Sequence, residues 1–315
     1  MTMIINLKIL SVLKRHVSLF KIQQRCPAIS LRRNGIEERN FSTISGKIKS
    51  DLPSSDLYVN FALVGPPGSG KGTYGSLLSK KFGCKLVTVS DILRNHIEHQ
   101  TNIGKQVEFC QREGKLADDN LVSKAVISFL LNQNFHKKIE EYENDQDYVN
   151  QKNTTKKKNE EKRVGFILDG YPRTLQQIQL MEAIDDTWPN YLKVHKVINI
   201  DVPDDICLSK MLGRRFCTKC KRSYNVNNVD SNGFIMPPQL PEPSCNCDKS
   251  VTWIKREDDT KEIILRRLTD YHAETKKVVS FYKNQGNLLS FVPRNGLLDM
   301  YKLEEIVQNK LEDSQ

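Results

Sequence analysis

Nine consecutive residues have the types and spacing to hold a phosphate: Gly65-Pro66-Pro67-Gly68-Ser69-Gly70-Lys71-Gly72-Thr73. They fit the pattern of a glycine, four free positions and then Gly-Lys. The glycines let backbone N–H groups converge on phosphate oxygens, and the amino end of a following helix adds positive potential. Lys71 would reach the β- and γ-phosphates. The Ser or Thr that usually follows the lysine and ligates Mg2+ is replaced by Gly72, with the hydroxyl displaced to Thr73. Mg2+ is therefore expected to be held mainly by phosphate oxygens and water, with Asp169 as its outer-sphere partner.

A second group suits a different ion. Of the eight cysteines, Cys26, Cys84, Cys110 and Cys207 are scattered and read as ordinary thiols. The other four cluster as Cys217-Thr-Lys-Cys220 and Cys245-Asn-Cys247, followed by Asp248. Where thiols are kept reduced, such a cluster favours metal over disulfides. Four thiolates, or three with the Asp248 carboxylate, both suit tetrahedral Zn2+. Cys217, Cys220, Cys245 and Cys247 are the favoured set, with Asp248 as substitute.

These groups need a frame. Residues 57–64 form a short apolar run ending at Gly65, as a buried parallel strand would, and 72–82 read as a helix. Residues 85–89 predict a second strand, and a helical stretch begins at Asp91. Asp118 and Asp119 precede Leu121, Val122, Ala125, Val126, Phe129 and Leu130, the spacing of an amphipathic helix with a polar cap. Residues 164–168, ending at Asp169, and 194–200, ending at Asp201, predict further strands. Helices are expected over 204–215 and 258–285, a last strand near 288–292 and a closing helix from Lys302. Alternating strands and helices imply an α/β domain with a parallel sheet and right-handed crossovers. Ligands of such sheets sit beyond the carboxyl ends of the strands, where Gly65 and Asp169 fall.

The net charge of +10 suggests nucleic acid until it is located. Residues 1–41 hold eight Lys or Arg and only two acids, which leaves +4 for the rest of the chain. The first 36 residues contain no acid at all, the composition of an amphipathic transit peptide. Arg39-Asn40-Phe41-Ser42-Thr43 resembles the cleavage signal of mitochondrial presequences. A secretory signal is disfavoured because Lys8, Lys14 and Arg15 break its apolar core. Mitochondrial import is the expectation, with a cytoplasmic location if the extension is not an import signal. Residues 42–57 read as a linker. Residues 136–162, rich in Lys, Asn, Glu, Asp and Gln, can bury almost nothing and read as a low-complexity insertion. No apolar run reaches the roughly 18 residues of a membrane span.

Further motifs follow the phosphate loop in order. Phe166-Ile-Leu-Asp169-Gly-Tyr-Pro-Arg173-Thr174 is followed by Gln177, and Gly114-Lys115-Leu116, Val202-Pro203-Asp204, Gly213-Arg214-Arg215 and Arg256-Glu257-Asp258-Asp259, with Arg267 beyond, are also present. Together with the loop they resemble the adenylate kinase family over residues 58–313, the insertion excepted. The resemblance implies a P-loop NTPase-type core, a small helical AMP-binding domain near 88–117 and a lid near 217–254, pinned by the zinc. It implies that Gly68, Ser69, Gly70, Lys71, Gly72, Thr73, Lys210, Arg214 and Tyr224 bind the triphosphate. Val89, Arg94, Lys115, Leu116, Ala117, Gly170, Arg173, Gln177, Arg256 and Arg267 would bind AMP, with Gln177 reading the adenine edge. Lys71, Arg173, Arg214, Arg256 and Arg267 would surround the transferred phosphoryl group, Asp169 beside them. The chemistry agrees: phosphoryl transfer spreads charge over equatorial oxygens, so catalysis is positioning plus cations, and no covalent nucleophile is needed.

Some positions depart from the family's commonest pattern. Val89 and Ser90 replace a Thr or Ser and a Gly near the AMP base, Lys210 stands where an Arg commonly stacks on the triphosphate's base, and 293–298 differ from a base-contacting loop. The expected reaction is ATP + AMP to 2 ADP by direct in-line transfer with Mg2+, in a monomer that binds no nucleic acid. GTP as donor is the alternative, and a nucleotide-responsive binding protein with little catalysis is the third reading.

Overall fold

The computed structural model describes residues 58–112, 117–130, 163–185, 193–220, 222–241 and 253–312. The transit-peptide region 1–41, the linker 42–57 and the insertion 136–162 lie outside the described residues. So do Lys115, Leu116, Cys245, Cys247 and Asp248.

Five strands form one parallel sheet: β1 (Tyr58–Val64), β2 (Lys85–Thr88), β3 (Arg163–Asp169), β4 (Lys196–Ile200) and β10 (Leu288–Phe291), in the order β10-β4-β1-β3-β2. β1 is buried along its whole length, which explains why it reads as a continuous apolar run rather than an alternating one. The exception is Asn60, fully buried, which serves a bulge in the β1–β3 pairing. Its Oδ1 accepts the Phe166 N–H at 3.0 Å, and its Nδ2 donates to the Lys193 carbonyl at 2.8 Å. Above one face lie α1 (Lys71–Phe82), α6 (Asp204–Leu212) and α9 (Met300–Glu312), packed around Phe61, Leu63, Leu78 and Ile198. Against the other lie α2 (Val89–Glu98), α4 (Asp119–Leu130) and α5 (Leu175–Asp185), around Ala62, Phe166, Leu168 and Val197. This is the α/β, P-loop NTPase-type arrangement. Among the described residues no helix is long and apolar enough to cross a membrane.

The expected helix from Asp91 is two helices. α2 begins at Val89, which therefore leaves the predicted second strand, and α3 (Asn102–Arg112) doubles back beside it. Their backbones meet at Gly104, where a Cβ would fall on the carbonyl group of His96. The expected helix over 204–215 stops at Leu212 instead. Asn225 Nδ2 donates to the Lys210 carbonyl at 2.6 Å and Asn227 Nδ2 to the Ser209 carbonyl at 2.7 Å, capping the last turn from outside. Gly213 gives both asparagines room, since a Cβ there would meet each within 2.6 Å. The chain then leaves as β5 (Arg214–Cys217), which pairs antiparallel with β6 (Ser223–Asn225) and β9 (Trp253–Ile254). The hairpin β7 (Val229–Ser231) and β8 (Phe234–Met236) lies within the span expected for the lid. Yet its Val229, Phe234 and Met236 are buried in the first core.

The expected helix over 258–285 begins at Lys261, capped by Thr260 Oγ1, which accepts from the Ile263 N–H at 3.4 Å. It runs as α7 (Lys261–Asp270), a π-helical turn (Tyr271–Thr275) and α8 (Lys276–Asn284). A 3-10 turn (Gly296–Asp299) then leads into α9, which begins two residues before the expected Lys302.

Candidate functional site

β1 delivers the chain to Gly65 and α1 takes it up at Lys71, at the carboxyl edge of the sheet. The loop lies hard against its neighbours. At Gly65 (φ +147) a Cβ would sit 2.5 Å from the Ile200 carbonyl oxygen, and at Gly68 (φ +92) 2.5 Å from that of Cys207. α1 starts from Gly70 in the left-handed region, with no side chain capping it, so its first N–H groups are left to the loop. The Ser69 hydroxyl is buried with no protein hydrogen-bond partner. Lys71 folds back over the loop, its Nζ donating to the carbonyls of Gly65 at 2.7 Å and Pro66 at 2.8 Å. Burial lowers its pKa to about 8, against the opposing pull of Asp169 and with the repulsion of Arg173 and Arg267.

Those perturbations place the predicted cations together. Arg173 lies close enough to Asp169, Arg267 and Lys71 to interact with all three, and Arg256 interacts with Arg214 and Arg267. Desolvation is the first cause of the lowered pKa of both Arg173 and Arg256. Arg173 is exposed to solvent, yet the protein around it desolvates it enough to lower its pKa. It folds back so that Nε donates to the Gly170 carbonyl at 2.9 Å. Gly170 must stay small for this, because a Cβ would lie 2.8 Å from Arg173 Nη2.

Carboxylates hold two of the other arginines, Arg214 and Arg267. Arg214 grips Asp259 with two bonds, Nε to Oδ2 at 2.8 Å and Nη2 to Oδ1, and Asp259 is fully buried. Arg267 Nη1 donates to Asp258 Oδ2 at 3.0 Å. Asp169 ends β3 over Gly72, where a Cβ would come within 3.5 Å of its Oδ2. Burial raises the Asp169 pKa, Lys71 and Arg173 oppose the rise, and Asp91 adds to it.

Of the residues expected to bind AMP, Val89 is buried at the start of α2 and Arg94 is exposed one turn on, its Nη1 donating to Asp91 Oδ1 at 2.7 Å. Gln177 is only 3% exposed. Its Oε1 accepts the Arg173 N–H at 2.7 Å and its Nε2 donates to Asp119 Oδ1 at 2.7 Å. Ala117 is half-buried just ahead of α4.

On the triphosphate side, Lys210 lies in the last turn of α6, beside Met211, whose side chain borders Gly68. Its Nζ is enclosed with no hydrogen-bond partner, and burial lowers its pKa. Tyr224 is taken up by packing within the sheet β6-β5-β9: its ring stacks on Trp253 at 5.3 Å, and its hydroxyl lies 3.2 Å from Cys220 Sγ. Cys217 is buried, and the Cys220 N–H donates to its Sγ at 3.5 Å. Among the described residues no group of three or more His, Cys, Asp or Glu could hold a metal, and Cys245 and Cys247 fall outside that set.

Sequence reasoning did not assign site roles to Asp91, Asp119, Asp258 and Asp259. Asp258 and Asp259 stand within a quoted motif, which marks their position but not their partners.

Comparison with known proteins points to one family. The adenylate kinase family model matches residues 144–287, and an AAA domain model matches residues 64–134. A GTP:AMP phosphotransferase of Plasmodium falciparum (isolate 3D7) is 35% identical over 253 residues, 80% of this chain and 96% of its own length. An adenylate kinase of Caldicellulosiruptor saccharolyticus is 31% identical, over 76% of this chain and 94% of its own. A protein of Arabidopsis thaliana described as "Probable adenylate kinase 6, chloroplastic" is 32% identical, over 79% and 74% respectively.

The low pKa of Lys71 has a measurable consequence. A phosphate against Nζ favours the charged amine and raises its pKa. Binding should therefore take up a proton in the window above about pH 8, where the free amine is largely neutral, and affinity should fall as pH rises through it. At pH 7 the amine is charged in both states and uptake should be small. Titration calorimetry of ATP at pH 7 and 8.5, in buffers of different ionisation enthalpy, reads this directly, and Lys71→Met should remove the uptake at pH 8.5.

Proposed function

The chain belongs to the adenylate kinase family, and from that premise we propose that it moves the γ-phosphoryl group of ATP onto AMP, reversibly, giving two ADP. It is a nucleoside monophosphate kinase. What supports the reading is a linked set of cations: Lys71, Arg173 and Arg267 perturb one another beside Asp169 at the end of β3, and Arg256 is perturbed by Arg214 and Arg267. An oxygen of the AMP phosphate attacks phosphorus as the bond to the β-phosphate's bridging oxygen breaks. Negative charge gathers on the transferred oxygens, and preorganised cations are worth most there.

Gly68, Ser69, Gly70, Gly72 and Thr73 would bind the triphosphate through backbone N–H groups and hydroxyls, with Lys71 on the β- and γ-oxygens. The partnerless Ser69 hydroxyl supports this. Arg94, Arg173, Arg256 and Arg267 would hold the AMP phosphate, while Val89, Lys115, Leu116, Ala117, Gly170 and Gln177 line its nucleoside. The three segments proposed are the core, the AMP-binding part near 88–117 and a lid near 217–254. Closing the lid would exclude water and so suppress hydrolysis. The donor set suits Mg2+: with Gly72 bare, the Asp169 carboxylate stands over the residue after Lys71 and would hold the ion through water. Mg2+ when bound offsets the charge of the triphosphate oxygens.

GTP as donor is the second reading, and Lys210 favours it. Its enclosed amine offers donors and no acceptor, which suits guanine O6 and N7 and opposes the N6 amino group of adenine. A coupled assay scanning ATP, GTP and ITP against AMP, CMP, GMP and UMP separates the readings. AMP should be the preferred acceptor, and GTP and ITP outrunning ATP would establish the second. Lys71→Met should lower kcat by about two to three orders of magnitude; near-full activity would remove the loop from the chemistry.

Zinc in the lid remains part of the proposal, held by Cys217, Cys220, Cys245 and Cys247 or by Asp248 in place of the last. The Cys220 N–H on Cys217 Sγ supports it, since such a bond steadies a thiolate in a turn of this spacing. The purified chain should carry about one zinc by elemental analysis, and Cys217→Ser should release it and lower Tm. Metal-free protein indifferent to chelators would count against the site. Residues 1–41 are proposed to direct import into mitochondria, and chloroplastic relatives make an organellar extension plausible within the family. Fused to a fluorescent protein, this segment should colocalise with a mitochondrial marker; diffuse cytoplasmic signal would overturn the compartment.

A further inference from the structure

The Asp119 carboxylate, at the first residue of α4, is doubly engaged across the space to α5. Its Oδ1 accepts from Gln177 Nε2 at 2.7 Å, and its Oδ2 accepts from the Thr174 hydroxyl at 2.7 Å. Thr174 Oγ1 in turn accepts the Gln177 N–H at 3.1 Å, and Gln177 Oε1 accepts the Arg173 N–H at 2.7 Å. The order of donors in this ring is forced. A carboxylate only accepts and a backbone N–H only donates. The Gln177 amide can therefore stand one way: amino group to Asp119, carbonyl to Arg173. Turned over, it would set oxygen against carboxylate and N–H against N–H in a buried site, two unmet polar groups at once.

Which way the amide stands decides which base it can read. Each end has one capacity left, a second N–H and a second lone pair. Adenine offers a donor at N6 beside an acceptor at N1, whereas hypoxanthine and guanine offer an acceptor at O6 beside a donor at N1. The two edges are complementary to opposite orientations of the same amide. We propose that Asp119 is a positioning residue that locks Gln177 in the orientation matching a 6-aminopurine, and so sets the acceptor's preference for AMP over 6-oxopurine monophosphates. This rests on the reading of Gln177 as the base contact given above.

The test compares kcat/KM for AMP and IMP, which differ at this edge alone, in the full-length wild type and Asp119→Asn. Asparagine keeps the shape but offers a donor as well as an acceptor, so it lifts the penalty on the turned amide at this end and leaves only the Arg173 N–H opposing it. The AMP:IMP ratio should narrow by about ten- to a hundredfold, through a higher KM for AMP and a lower one for IMP, with kcat for AMP changed only a few-fold. Thr174→Val removes the carboxylate's other hydrogen bond but leaves the amide held, so it should lower Tm and keep the ratio. If Asp119→Asn does not fold, Asp119→Ser is judged by the same ratio. AMP turnover with an unchanged ratio in the Asp119 variant overturns this proposal alone. A wild type that does not phosphorylate AMP overturns the underlying reading and this proposal together.

Discussion

Like charges repel, and the fold links Lys71, Arg173, Arg267, Arg256 and Arg214 into a series in which each cation feels the next. At such separations, with part of the water displaced, the repulsion has to be offset for the chain to stay folded. The protein offsets it locally. Asp259 takes Arg214, Asp258 takes Arg267, Asp169 lies against Lys71 and Arg173, and loop carbonyls take Lys71 and Arg173. Each partner is borrowed from an element that the cations themselves position.

The pairing also ties the small antiparallel sheet to the core. Arg214 opens β5 and Arg256 follows β9, so the small sheet is entered and left beside members of the cation series. The bidentate grip on buried Asp259 ties the first of these to the start of α7. Above it, the sheet β6-β5-β9 is small, and its apolar cover is mainly Tyr224 on Trp253.

The strand–loop–helix from Tyr58 to Phe82 was legible because its determinants are local: an apolar run, glycines, then a helix. The other buried strands of the sheet were legible for the same reason, within a residue or two. α5 was missed because its buried side, at Ile178, is flanked by exposed Leu175 and several glutamines, leaving a weak amphipathic pattern. The end of α6 was misplaced because the groups that stop it, Asn225 and Asn227, come more than a dozen residues later. The same separation hid the carboxylates. A motif can mark Arg214 and Asp259, but that one grips the other across 45 residues is a fact of packing. The strands of the lid are two to four residues long, too short to carry a period.

The π-helical turn at Tyr271–Thr275 interrupts what would otherwise be one rod. Before it, Ile264 and Leu268 are buried in the core above one face of the sheet; after it, Val278 and Tyr282 are buried in the core on the other. An extra residue in a turn rotates everything beyond it by about 100° about the axis. It acts as a dislocation does in a crystal, letting two incompatible lattices share a boundary. The stretch bearing Arg267 can thus be aligned by the phosphate side while its continuation is aligned by the opposite side, with neither dictating the other's rotation. Evolution could then retune packing under the sheet without turning Arg267 out of the cleft.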